Sequence, residues 1–151
     1  MKKALRFICI VLVVALALPG SAFAALPESD VSTNSLFFVS RDSWLDPISN
    51  SRFYVCYDIT AKDIMQELGV VEILVQRSAN GTSGWTTMAT YTSDDRPEFI
   101  CTNTSSHGGY FVYLATAGYY YRARMYYYAN NSTGIGKSYD YTPVIYLQPH
   151  T

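Results

Sequence analysis

Gly118-Tyr119-Tyr120-Tyr121-Arg122-Ala123-Arg124-Met125-Tyr126-Tyr127-Tyr128-Ala129 is a run of strand formers in which arginine is the only charged residue type. In an extended strand, successive side chains point to opposite faces. One face then carries Tyr119, Tyr121, Ala123, Met125 and Tyr127. The other carries Tyr120, Arg122, Arg124, Tyr126 and Tyr128. The first face can be buried; the second, with two guanidinium groups, resists burial. The stretch predicts a central, half-buried strand of an antiparallel sheet.

Upstream of it the same alternation recurs. Phe53, Val55, Tyr57 and Ile59 fall on one face of residues 51–60, with Cys56 on the more polar one. Residues 70–78 and 85–92 read as two strands around the turn signal Asn80-Gly81. Short strands are expected at residues 36–39, 99–101 and 110–114, and a last one at 138–147, where Pro143 implies an edge or a bulge. Residues 41–50 carry turn chemistry, with Trp44 expected to cap one end of the core. Residues 93–97, 102–109 and 130–137 read as loops. Ile64, Met65 and Leu68, followed by Gly69, predict one short helical turn over residues 61–68. Seven to eight short strands at this spacing predict an all-β antiparallel sandwich.

The N-terminus reads as a targeting segment. Lys2, Lys3 and Arg6 precede an apolar run over residues 7–18, and Ala22-Phe23-Ala24 offers a cleavage site. Residues 1–24 are thus expected to be a signal-peptide helix, bacterial in style, and residues 25–35 a flexible lead-in to a domain over 36–151. The apolar run is short for a membrane span, so contact with a membrane is expected only before cleavage. The chain after Ala24 keeps eight basic residues against twelve acidic ones, a net charge of −4 without any basic stretch. That composition excludes nucleic acid as a natural partner. All fourteen tyrosines lie in this part. So do Cys56 and Cys101, an even pair in an exported chain and hence an expected disulfide between neighbouring strands.

Two stretches resemble a fibronectin type III domain. Ile73-Leu74-Val75-Gln76-Arg77-Ser78, the Asn80-Gly81 turn and Trp85-Thr86-Thr87 are similar to its middle strands. Gly118 to Arg124 is similar to its penultimate strand, with the Tyr-Tyr-Arg-x-Arg run. The resemblance implies a fibronectin-III or immunoglobulin-like fold and no chemistry. The family's second-strand Trp is replaced here by Tyr54 or Tyr57. Its corner tyrosine would be Tyr120 by spacing from Leu114, and Tyr119 by the arginine pattern. The arginine pattern is preferred, because the other register buries Arg122 and Arg124. The whole chain also resembles small exported proteins of Gram-positive bacteria with no assigned activity.

Catalytic chemistry has thin support. Ser105, Ser106 and His107, with Asp94 and Asp95 upstream, could supply a nucleophile, a base and a carboxylate, yet all lie in polar loops where such residues are ordinary. There is no G-x-S-x-G elbow and no phosphate-cradling glycine loop. His107 and the terminal His150 have no metal-ligand spacing, and Asp94-Asp95 could contribute to a calcium site, which needs several oxygens, although two adjacent Asp in a turn are more often just a turn. Asn103 and Asn131 match a glycosylation pattern that means little in a bacterial chain. The expectation is a secreted, non-catalytic domain without cofactor or metal. It would bind a protein or polysaccharide of the cell envelope through Tyr120, Arg122, Arg124, Tyr126 and Tyr128. The rivals are a small secreted hydrolase or inhibitor, and a purely structural module whose tyrosines pack only on cross-strand neighbours.

Overall fold

A computed structural model describes residues 36–149. The expected signal peptide, lead-in and His150 lie outside the described residues. Within them the chain is all-β and antiparallel, in seven strands: β1 (Phe38–Ser49), β2 (Arg52–Ser78), β3 (Thr86–Thr92), β4 (Ile100–Leu114), β5 (Tyr120–Asn131), β6 (Gly134–Tyr141) and β7 (Ile145–Tyr146). One 3-10 turn, Pro97–Phe99, precedes β4.

β2 organises the rest. It is 27 residues long, and its two halves keep different company. Residues 52–60 lie between β1 and the far end of β4, with Cys56 opposite both Trp44 and Tyr110. Residues 67–78 lie beside β5, with β3 and the start of β4 on the other edge. β6 then extends the sheet beyond β5, and β7 adds two residues at its start. Between the halves, four residues of β2 bulge against one of β4, from Thr60 opposite Ser106 to Met65 opposite Thr104. A bulge bends its strand and sharpens the twist. The sheet therefore curls, and its inner faces meet.

The core is the product of alternation on each strand. Phe53, Val55, Tyr57 and Ile59 from one half of β2 are buried, as are Ile73 and Val75 from the other and Tyr121, Ala123, Met125 and Tyr127 from β5. Contact across the curl is direct: the Phe53 and Tyr121 rings are 5.3 Å apart. Tyr113 adds a third ring, 5.2 Å from Phe53. The Tyr121 hydroxyl turns back to the preceding loop, accepting from the Thr116 amide and donating to its carbonyl, both at 2.9 Å. Neither Tyr119 nor Tyr120 makes this bond to the Thr116 backbone; Tyr121 does.

Several expectations about local structure are corrected. Residues 61–68 are strand, not helix: Met65 and Leu68 are fully buried while Ile64 is 70% exposed. The apparent helical spacing is the signature of the bulge, which shifts the alternation. Residues 41–50 are mostly β1, and Trp44 points outward from it instead of capping the core. Residues 102–109 are the body of β4. The loop expected at 130–137 shrinks to a turn between Asn131 and Gly134, where the Asn131 side-chain oxygen accepts from the Thr133 amide at 2.8 Å. Pro143 separates β6 from β7, so residues 138–147 are not one strand.

Candidate functional site

Two outer faces of the curled sheet carry side chains with binding chemistry. The first is built on β5. Its alternation sends Tyr120, Arg122, Arg124, Tyr126 and Tyr128 outward, each half-buried by neighbours. Arg122 is the hub. Its guanidinium lies 4.3 Å from the Trp85 ring and 4.2 Å from the Tyr141 ring, and its Nε donates to Gln76 Oε1 at 2.8 Å. Arg124 lies 4.9 Å from the Tyr126 ring and 5.8 Å from that of Tyr139. Tyr126 and Tyr139 are cross-strand partners with rings 5.7 Å apart, and Tyr139 meets Tyr141 edge-on at 6.0 Å.

The result is an unbroken alternation of rings and cations from Trp85 through Arg122, Tyr141 and Arg124 to Tyr126. Each exposed cation–π contact contributes about 0.5–1 kcal/mol. Tyr120 stacks on Tyr146 at 4.7 Å at one end. At the other, the Tyr128 hydroxyl and the Asn130 amide both donate to Glu67 Oε2. Burial and then the Glu67 charge push the Tyr128 hydroxyl up from its ordinary pKa. Burial also raises Tyr126, against the lowering effect of Arg124. The structure thus brings the five sequence-derived residues together on one face. Trp85, Tyr139, Tyr141 and Gln76 join them, although sequence reasoning did not place them there. Tyr139 and Tyr141 alternate, and that period was the available signal.

The second face lies on the other half of the sheet, across β1, β2 and β4. A cleft of about 560 Å³ opens there, bounded by Trp44, Cys56, Asp58, Glu98, Gly108 and Tyr110. Its lining carries two carboxylates, Asp58 and Glu98. The Cys56 thiol is raised by burial and then by Asp46. The Tyr57 hydroxyl, beneath the glycines, is pushed up to about 12 by burial and then by Glu98. Glu98 itself is paired with Arg96 at 3.5 Å.

The catalytic candidates do not assemble. His107 Nε2 lies 3.3 Å from the Tyr57 hydroxyl and 3.1 Å from the Glu98 carbonyl oxygen. The Ser106 amide and carbonyl are both taken by the Thr104 hydroxyl. Asp95 accepts from the Thr92 hydroxyl at 2.9 Å in the turn after β3. Among the described residues neither serine hydroxyl is bonded to His107.

Cys56 and Cys101 are free thiols, which corrects the expected disulfide. They do lie on neighbouring strands, β2 and β4. The register separates them: Cys56 is opposite Tyr110, and Cys101 is opposite Leu68. Along β4, Cys101 lies nine positions (110 − 101) from the residue opposite Cys56, roughly 30 Å of strand, whereas a disulfide needs Cα atoms within about 7 Å.

No protein-family model matches the sequence, and no curated protein sequence matches it. Among solved structures, the crystal structure of Spo0M, the sporulation control protein from Bacillus subtilis, aligns with a TM-score of 0.46 at 10% sequence identity. The alignment covers 74% of this chain and 49% of that one, so the chain spans about half the length of that protein.

Proposed function

We propose that this protein is an exported, non-catalytic β-sandwich of fibronectin-III or immunoglobulin-like type that binds a cell-envelope component, polysaccharide or protein, through the outer face of β5 and β6. The sandwich reading is supported by the contact of Phe53 with Tyr121 across the curl and by the Tyr121 hydroxyl bonded to Thr116. Export is supported by the basic, apolar and Ala-x-Ala order of residues 1–24.

The observation that carries the binding reading is the stacked array around Arg122. Trp85 and Tyr141 hold the guanidinium in place, so its remaining donors and the ring edges are pre-set. Rigid aromatic groups present contact area at little cost in conformational freedom. The test is co-sedimentation of the protein, lacking residues 1–24, with envelopes of its source, before and after protease treatment. Binding that survives the protease identifies polysaccharide; binding lost with it identifies protein. Tyr139→Ala and Arg124→Ala should each weaken binding while the protein stays folded, at a cost in stability of no more than about 1–2 kcal/mol. Failure of the unaltered protein to sediment, or undiminished binding by both variants, would overturn the assignment.

A further inference from the structure

The cleft on the opposite half of the sheet has its own chemistry, set by register. Trp44 on β1, Cys56 on β2 and Tyr110 on β4 are in line across three strands. Two positions along each strand, Asp42, Asp58 and Gly108 are also in line. With strands about 4.8 Å apart, the Trp44 and Tyr110 backbones stand roughly 9.6 Å apart. Two aromatic walls therefore flank a floor made by a small thiol side chain.

Both walls keep ring surface open to solvent. The Tyr110 ring meets Tyr54 edge-on at 5.3 Å, yet Tyr110 remains 73% exposed. Trp44 is 43% exposed. Gly108 keeps the end of the cleft open, since a Cβ there would come 3.3 Å from Asp58 Oδ1. Asp46 stands on β1 just beyond Trp44.

The charges are unbalanced. Asp42 and Asp58 are direct cross-strand partners, and like charges so placed repel. Among the described residues none of Asp42, Asp46 and Asp58 takes part in an ion pair. The aligned positions 42, 44, 46, 54, 56, 58, 108 and 110 hold no cation. Nor do the carboxylates converge on a metal: among the described residues no three metal-ligating side chains come together. A diffuse negative field between two rings fits an organic cation, which the rings attract through their faces and the carboxylate through charge.

We propose that this cleft binds a protonated primary amine, its ammonium group against Asp58 and its carbon chain between Trp44 and Tyr110. The amine compensates the Asp42–Asp58 repulsion, and the rings shield its stem. The same ammonium chemistry is carried by free polyamines and by a lysyl side chain.

The experiment follows the indole N–H resonance of Trp44 by NMR in the purified protein, during titration with n-butylammonium chloride. n-Butanol serves as the neutral control. Spermidine and a lysine blocked at both its amino and carboxyl groups then separate the sources. Response to spermidine alone points to a free polyamine, and response to both points to a lysyl side chain. Asp58→Asn should weaken the ammonium by about two- to fivefold, the size of one exposed charge contact. It should also raise the unfolding midpoint of the free protein, because the repulsive pair is gone. Tyr110→Leu, at a largely exposed position, should weaken binding without loss of the fold. No movement of the Trp44 resonance with any amine, an equal response to n-butanol, or full affinity in Asp58→Asn would overturn the proposal.

Discussion

The two outer faces of the curled sheet are both aromatic and charged, and they resolve that combination in opposite ways. Around Arg122 each cation already has its rings: Trp85 and Tyr141 for one guanidinium, Tyr126 and Tyr139 for the other. Around Asp58 the rings stand apart, and the nearest cross-strand charge is another carboxylate. One face is internally paired and stiff; the other is internally unpaired and open. Charge type alone does not make a surface receptive. The paired face offers pre-set rings and guanidinium donors, and the unpaired one offers carboxylates that the same sheet leaves without a cation.

The comparison breaks if the core beneath the faces is not common to both. Tyr121 tests this, since its ring joins β5 to Phe53 and Tyr113 across the curl. Tyr121→Ala should cost about 3–5 kcal/mol, as for other large-to-small core changes. Tyr120→Ala, which removes a half-buried ring stacked on Tyr146 and lying over Gly81, should cost less. Chemical denaturation of both variants measures the difference, and a costlier Tyr120 would invert the two faces of β5.

A smaller effect sharpens the claim that the first face is internally paired. Arg122→Ala removes two ring contacts and the bond to Gln76, and should cost about 1–2 kcal/mol. That is less than the cost of Tyr121→Ala, as a position on the outer face implies. A shift indistinguishable from zero in the denaturation midpoint would show that the stack contributes nothing to stability.

The smallest effect has the opposite sign. Asp42→Asn on the second face should stabilise by about 0.2–1 kcal/mol, by relieving the repulsion with Asp58. The gain should shrink in concentrated salt, which already screens that repulsion. Thermal unfolding at low and high salt measures it. A destabilised Asp42→Asn would mean that the two carboxylates do not repel across the strands.

Much of this was legible where a strand is buried on one side and solvated on the other. Residues 53–59 and 119–128 declared their inner faces by simple alternation, and the structure buries those faces. Only the start of β1 was legible, because Phe38 and Leu45 alone on it are buried, which leaves over residues 41–49 a polar sequence that reads as turn. Residues 61–68 misled because a bulge imitates helical spacing. The Tyr/Arg face could be read because it lies on one strand. The Trp44–Tyr110 cleft could not, because it exists only through the alignment of β1 and β2 with β4, which is distant from them in sequence. Cys56 and Cys101 show the same limit: their strands are neighbours, but pairing partners follow from register, which depends on where the bulge falls.

β2 also sets an order of events for the nascent chain. Its first half can hairpin at once with β1 through the turn at Asn50 and Ser51. Its second half finds β3 soon after, but Glu67 must wait for Asn130 on the β5 side. Until that point has been synthesised, one edge of a long apolar ribbon stays without its ladder, the state most open to pairing with another chain. Distant pairings of this kind also slow folding. The strand that unites the finished molecule is thus its most exposed liability during synthesis, and that exposure ends only when the tyrosine-rich strand arrives.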